Sequence, residues 1–244
     1  MKITLYTICY NEQLILPHLL NYYSTIVDKI VVYDNESNDN TLKILNKYKG
    51  NLEIRTFKTN NSLRDDILSK IKNTCWIGDN SDYCIVVEAD EFIYHPIGLR
   101  NYLEQNMDCD FFTPTGYQMV SDEFPNNYSK LITEQIKTGT PDPFYNKLSI
   151  INPKRVVDIN FKPGGHEVHY ELIGPDIKVI ETSDLKLLHY KFLGLDYILN
   201  KNKYYTDRIS QANIDKGWGV HHTQPDEKTM NIFNTIKEEA KVII

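Results

Sequence analysis

Short apolar runs alternate with amphipathic stretches through the first half of the chain. "KITLYTICY" (Lys2–Tyr10), "KIVVYD" (Lys29–Asp34), "LEIRTF" (Leu52–Phe57) and "YCIVVE" (Tyr83–Glu88) are rich in β-formers and nearly continuous in apolar character. That pattern predicts strands buried on both faces. Helices are predicted between them. The first covers Leu14–Ile26, with Pro17 confined to its opening turn. The second runs from Asn40, a plausible N-cap, to Gly50, its stop. The third, Ser62–Asn73, opens with a Ser62/Asp65 capping box and sets Leu63, Ile67 and Ile71 on one face. Such alternation predicts right-handed β-α-β units, hence an α/β fold with a mostly parallel sheet flanked by helices.

The second half is less regular. Asp110–Met119 reads as a strand, and residues 120–143 as a polar loop with a short helix. "KLSIINP" (Lys147–Pro153) and "RVVDINF" (Arg155–Phe161) read as an antiparallel pair, and "PGGHEVHY" (Pro163–Tyr170) as a turn. Asp184–Tyr190 is a predicted strand leading into a helix over Leu195–Ser210. No internal repeat, low-complexity segment or long linker divides the 244 residues, so one domain is expected.

In open parallel sheets ligands bind beyond the carboxyl ends of the strands. Here those ends carry Cys9–Glu12, Tyr33–Ser37 and Glu88–Glu91. Gly50 and Gly78 are the only glycines before the third cluster, so neither a dinucleotide fingerprint nor a P-loop is present. The last cluster, "EADE", puts three carboxylates at the tip of a buried strand. A side-chain period of two would send Glu88 and Asp90 to one face and Ala89 to the other. A shared cation would relieve their repulsion, and oxygen ligands point to Mg²⁺ or Mn²⁺ clamping a diphosphate. Helix capping or a solvated turn is the competing account of the acidic tip. For Asp34–Ser37 the alternative is an Asx-type turn. Arg64 and Lys72 either face phosphates or lie on a solvated helix face.

A net charge of -6 argues against a nucleic-acid-binding surface. The four cysteines have no C-x-x-C spacing and read as buried thiols of a reducing compartment. "MKITLYTICYNE" is too short and too soon polar for a signal peptide, and no run spans a bilayer, so a cytoplasmic location is expected. The 17 tyrosines suit sugars and nucleobases, and equally suit half-buried packing. "HEVH" (His166–His169) is not a metalloprotease motif, because the second histidine comes one residue early.

"CYNEQLILPHLLNYYSTIVDKIVVYDNESNDNT", "EADEF" and, more loosely, Gly165–His166 and "HYKFLGLDYIL" together resemble GT-A glycosyltransferases of the family 2 type, in a bacterial D-x-D-E-F subgroup. The resemblance implies a GT-A fold with a nucleotide-sugar-binding half (1–110) and an acceptor-side half (111–244). Asp34 would accept hydrogen bonds from the nucleobase or ribose, and Thr7, Tyr10, Asn11, Glu12, Asn35, Arg64, Glu88 and Ala89 would line the donor pocket. Asp90 would hold Mn²⁺ or Mg²⁺, with Glu88 and His189 as further ligands; Glu88 departs from the family's usual Asp. Family 2 enzymes are inverting and need a base, for which Glu167 ranks first, ahead of His166, Asp122 and Glu123. The implied partners are a nucleoside diphosphate sugar, UDP-sugar favoured, and a glycan or lipid-linked acceptor. "NKNKYYTDR" (Asn200–Arg208) reads as a solvated helix face, with contact to the inner face of a membrane left open. A sugar-nucleotide pyrophosphorylase would carry a Gly-rich basic loop after the first strand, which "CYNEQLILP" is not. A non-catalytic glycan- or protein-binding domain is the other rival. Asp90 turned away from the carboxyl-end crevice, or tied to a nearby lysine with no open cavity, would overturn the enzyme assignment.

Overall fold

A computed structural model describes residues 1–163, 167–173 and 178–244. The first half follows the predicted alternation: β1 (Ile3–Cys9), α1 (Leu16–Tyr23), β2 (Lys29–Asp34), α2 (Thr41–Lys47), β3 (Leu52–Thr56), α3 (Asp65–Thr74) and β4 (Tyr83–Glu88). β3, β2, β1 and β4 lie side by side in parallel, with Cys9 opposite Asp34 and Ile8 opposite Glu88. The register therefore brings the ends of β1, β2 and β4 to one edge. Pro17 falls in the first turn of α1, where its missing N–H costs no helical bond. The Ser62/Asp65 capping box does not form. Arg64 is the N-cap, and the backbone N–H of Asp65 donates to Oδ1 of Asn213, 148 residues away.

Beyond β4 the sheet continues through shorter, mostly antiparallel pairings. β5 (Glu91–Tyr94) and α4 (Leu99–Gln105) lead to β6 (Phe111–Ser121), α5 (Ile132–Gln135), β7 (Thr138–Pro141) and β8 (Ile150–Ile151). β8 bridges β4 and β6 antiparallel, whereas β9 (Val156–Phe161), among the described residues, pairs only with β10 (Val168–Leu172) in a separate two-stranded sheet. The expected pairing of residues 147–153 with 155–161 is thus replaced by pairings with the central sheet and with β10. β11 (Val179–Leu193) runs parallel to β6 and antiparallel to β5. α6 (Leu195–Arg208), α7 (Gln211–Asp215), α8 (Asp226–Glu239) and β12 (Lys241–Val242) complete the chain. The longest ladders are parallel, and the sheet as a whole is a mostly parallel central sheet with helices and a small antiparallel sheet packed on it.

Strand alternation sorts the core. Ile3, Leu5, Ile30, Val32, Ile85 and Val87 pack with α1, while Tyr6, Val31 and Cys84 face Cys75 and Trp76 at the end of α3, with β9 closing over them. Much of the tyrosine content is structural. The Tyr22 hydroxyl donates to Ile93 O at 2.7 Å, and Tyr23 bridges Glu91 O and Ile93 N, so α1 holds β5 in place. All four cysteines are free and buried. Among the described residues no helix is long and apolar enough to cross a membrane.

His18 of α1 is fully buried; its Nε2–H donates to Pro125 O at 2.8 Å, and its Nδ1 has no partner among the described residues. Burial lowers its pKa from the usual 6.5, with the Pro125 bond opposing. A base depressed in the fold contributes stability that is present above its unfolded pKa and lost as pH falls below it. Wild-type stability should therefore decline below about pH 6.5, by up to ~1.4 kcal/mol per pH unit from this group. Urea midpoints at pH 7.5 and 5.5 should show that decline reduced in His18→Gln; equal slopes would contradict a neutral buried His18.

Candidate active site

The loops that leave β1 and β2 are tied to each other. Asn11, at φ 54°, donates its N–H to Ser37 Oγ and its Nδ2 to Asn38 Oδ1, and Glu12 N–H donates to Thr41 Oγ1 at 2.9 Å. Asp34 is fully buried, and its Oδ2 accepts from Ser37 N–H at 3.2 Å, the three-residue reach of an Asx-type turn. Asn35 is buried beside it and accepts from Arg208 Nη2 at 2.6 Å.

After β4 the period of two fails. The strand stops at Glu88, and Ala89–Asp90 form the turn into β5. Glu88 stays on the α3 side and pairs with Lys72 at 2.7 Å, while Ala89 packs into the core. Asp90 turns the other way, held by Tyr190 N–H donating to its backbone carbonyl at 2.8 Å. Its Oδ2 lies 2.9 Å from Lys201 Nζ and 3.4 Å from His189 Nε2. Lys201 also reaches Glu12 Oε1 at 3.0 Å. The expected Glu88–Asp90 pairing is not made; each carboxylate instead has its own lysine. Glu91 completes the set, buried against Lys147 at 2.6 Å and accepting from Glu88 N–H through its other oxygen.

The charge states follow from these contacts. Burial pushes the Asp90 carboxyl up, but Lys201 and then His189 outweigh it and hold it well below the usual carboxylate range. Glu12 shares the same ammonium less favourably: burial, reinforced by the charge of Asp90, pushes it up to about 7 against the pull of Lys201. Gln118 fixes the imidazole of His189. Its Nε2 donates to Asp142 at 2.9 Å, so its Oε1 faces His189 Nδ1 at 2.8 Å and must accept from it. Nε2 is then the ring atom presented to Asp90. Tyr145 stacks on the same ring at 4.2 Å.

Residues missed in the sequence come from α6. Tyr197, Lys201, Tyr205 and Arg208 recur at three- and four-residue steps and so share one helix face. The solvated-face expectation for residues 200–208 fails for that stripe: Arg208 is 5% exposed, its guanidinium 3.2 Å above the Tyr10 ring. Gly194, at φ +87°, starts the helix where a Cβ would press on Asp122 O and Glu123 Cα at 3.2 Å. The far end is stitched to the loop before α3 by Leu63 N–H to Arg208 O at 2.6 Å and Ser210 N–H to Leu63 O at 3.3 Å.

Searched by sequence, the chain matches no protein-family model and no curated protein. Its fold aligns with that of solved structures. Over 85% of this chain and 65% of the other, it superposes on S. aureus TarS 1-349 with a TM-score of 0.49 and 15% identity. Glucosyl-3-phosphoglycerate synthase from Mycobacterium tuberculosis aligns over 47% of this chain and 44% of its own, with a TM-score of 0.34 and 12% identity. Core-mannan synthase A from Aspergillus fumigatus covers 50% and 43%, at 0.33 and 8%. The chain thus spans less than two thirds of each of these proteins.

Other expected site residues make no hydrogen bond or ion pair with Asp90 among the described residues. Thr7 is buried within the sheet, its hydroxyl without a partner among the described residues. Arg64 turns outward to Asp66, with two bonds of 2.9 and 2.7 Å. Glu167 is exposed just before β10, its carbonyl accepting from Lys162 N–H; His166 lies outside the described residues. Asp122 and Glu123 are exposed beyond β6, with Asp122 paired to Lys237. Among the described residues no three His, Cys, Asp or Glu side chains converge to hold a metal. What the protein offers a divalent ion is the pair Asp90 Oδ2 and His189 Nε2, one oxygen and one imidazole nitrogen, a mixed set that suits Mn²⁺ better than Mg²⁺. Glu88 stands outside it, and Lys201 would have to leave Asp90 Oδ2 for an ion to share that oxygen.

Proposed function

We propose that the protein is a GT-A-type glycosyltransferase, moving a sugar from a nucleoside diphosphate, UDP favoured, to a hydroxyl of a glycan or glycolipid with inversion. The observation that carries the reading is the burial of Glu12, Asp34, Asp90 and Glu91 with Lys147, His189 and Arg208 at the carboxyl edge of the parallel strands. Buried ion pairs return little stability for their desolvation cost, so such a concentration suits a site built for a charged, hydrogen-bonding ligand. Lys201 on Asp90 removes the argument that paired carboxylates alone demand a metal. It leaves the argument from the placement of the cluster, which does not depend on an ion.

In this reading Asp90 and His189 would hold Mn²⁺ or Mg²⁺, which when bound neutralises charge on the departing diphosphate. The protein's own residues orient. Gln118 keeps His189 Nε2 aimed at Asp90, and Arg208, stacked on Tyr10 and bonded to Asn35, closes the nucleotide side. The acceptor oxygen attacks the anomeric carbon, the bond to the phosphate oxygen breaks with its electron pair on the diphosphate, and the acceptor proton passes to a base. Glu167 is the proposed base, with Asp122, Glu123 and His166 as the alternatives. A polar cavity of about 360 Å³ lined by Thr113, Thr115, Asn146, Glu181 and Ser183 offers hydroxyl and amide groups suited to an acceptor sugar.

A thermal-shift screen of UDP, GDP, CDP and dTDP, with Mn²⁺ and with chelator, tests the reading. One diphosphate at 100 times its dissociation constant should stabilise the fold by about 2.7 kcal/mol, and the others far less. No shift with any of the four in the presence of Mn²⁺ would defeat it.

A further inference from the structure

The hydrogen bonds behind His189 lead to Asp142. β7 pairs antiparallel with β6, Pro141 opposite Tyr117, and the turn after β7 folds back over β6. Asp142 N–H donates to Gly116 O at 2.9 Å, and Gly116 N–H donates to Asn146 Oδ1 at 2.8 Å. The approach is so close that a Cβ at Gly116 would lie 2.7 Å from Asp142 O. This turn brings two groups to one imidazole: Tyr145 against its face, and Asp142, through Gln118, at its Nδ1 edge. Both carboxylate oxygens of Asp142 are committed. Oδ1 accepts from Phe144 N–H at 3.0 Å, and Oδ2 accepts from Gln118 Nε2 at 2.9 Å. Gln118 and His189 are both buried, so a change in one hydrogen bond must be answered by the next.

We infer that Asp142 is a positioning residue for His189, setting through Gln118 which ring nitrogen is left without a proton. An ionised carboxylate only accepts, so it takes the amide nitrogen of Gln118 and turns the amide oxygen to His189 Nδ1. That oxygen also only accepts, which keeps the ring proton on Nδ1 and leaves the lone pair of Nε2 facing Asp90 Oδ2, 3.4 Å away. Two electron-rich atoms held face to face suit a cation, and a tautomer fixed from behind prepares an imidazole to ligate one. The use of the lone pair for an ion rests on the transferase reading; the control of the tautomer does not. Asp142→Asn shows how the control works. Phe144 N–H still needs an acceptor, so the new amide keeps its oxygen there and presents its nitrogen to Gln118. Two amide nitrogens cannot bond each other. The Gln118 amide therefore turns over and donates to His189 Nδ1, and the ring gives up its Nδ1 proton to solvent and takes one at Nε2, against Asp90.

Nitrogen-15 NMR of the metal-free protein, labelled at histidine and held at about pH 8, where free imidazole is neutral, tests it. His189→Gln assigns the signal. Wild type should carry the ring proton on Nδ1, and Asp142→Asn should carry it on Nε2. The double variant Asp142→Asn with Gln118→Glu should return it to Nδ1, because the introduced carboxylate accepts from both the introduced amide and the ring. Mn²⁺ titration of the same proteins should follow the tautomer: about 10–100-fold weaker binding in Asp142→Asn, and most of it recovered in the double variant. A merely structural role for Asp142 would leave the proton on Nδ1 in the Asn variant, and that result overturns the inference. So does an inversion that the double variant fails to reverse, or a loss of Mn²⁺ affinity with the tautomer unchanged. The NMR uses neither metal nor nucleotide, so a thermal screen without any diphosphate shift would defeat the transferase reading alone.

Discussion

Asp90→Asn is expected to lower the rate of sugar transfer by about 10³-fold while leaving the protein folded. The amide keeps the volume of the side chain, and its oxygen can still accept from Lys201, now 2.9 Å away. What it loses is the charge that holds Lys201 and faces His189 Nε2. Glu88→Gln is the control. Glu88 shares the acidic tip in sequence but is spent on Lys72, so its loss should cost activity less than about tenfold. Nucleoside diphosphate release, measured with the donor that the screen selects, reads both variants. The reverse ranking, with Glu88→Gln the more damaging, would restore the D-x-D-like account of the motif.

Lys147→Met is expected to be the more damaging change for stability. Lys147 and Glu91 are both almost wholly enclosed, with side chains 7% and 2% exposed. Removing the ammonium strands a carboxylate that also anchors Glu88 N–H, and breaking a buried pair from one side costs ~3–5 kcal/mol. For a chain of this length that corresponds to a melting point lower by roughly 6–20 °C. The double variant Lys147→Met with Glu91→Gln should recover a large part of the loss, because no unpaired charge then remains. Calorimetry of the two single variants and the double variant closes the cycle. A double variant less stable than Lys147→Met alone would show that Glu91 is held by something other than Lys147.

The parts of the fold that could be read ahead are those where one residue pattern dictates one outcome. β1, β2 and β4 are apolar on both faces, and no other element buries such runs of that length. Legibility failed where the outcome depended on a remote segment. Ser62 looked like a cap, yet Asn213 supplies the bond to Asp65. β8 is two residues long, and its pairing with β4 and β6 is visible only once both are in place. The acidic tip misled for a local reason: alternation holds only while the strand lasts, and it ends at Glu88. The α6 stripe was within reach, because positions 197, 201, 205 and 208 fall on one helix face. Its mixed tyrosine and basic character resembles an ordinary exposed surface, and nothing local says that acidic partners wait at Glu12 and Asp90.

The stitching of α6 to the loop before α3 has a consequence for biosynthesis. Glu12, Asp90 and Glu91 emerge from the ribosome well before Lys147 and Lys201, their counter-charges in the finished protein. Lys72, the partner of Glu88, is made before it, so of the four carboxylates only Glu88 has its lysine within the first hundred residues. The ion pairs at Glu12 and Asp90 can therefore close only once α6, which carries Lys201, has been made.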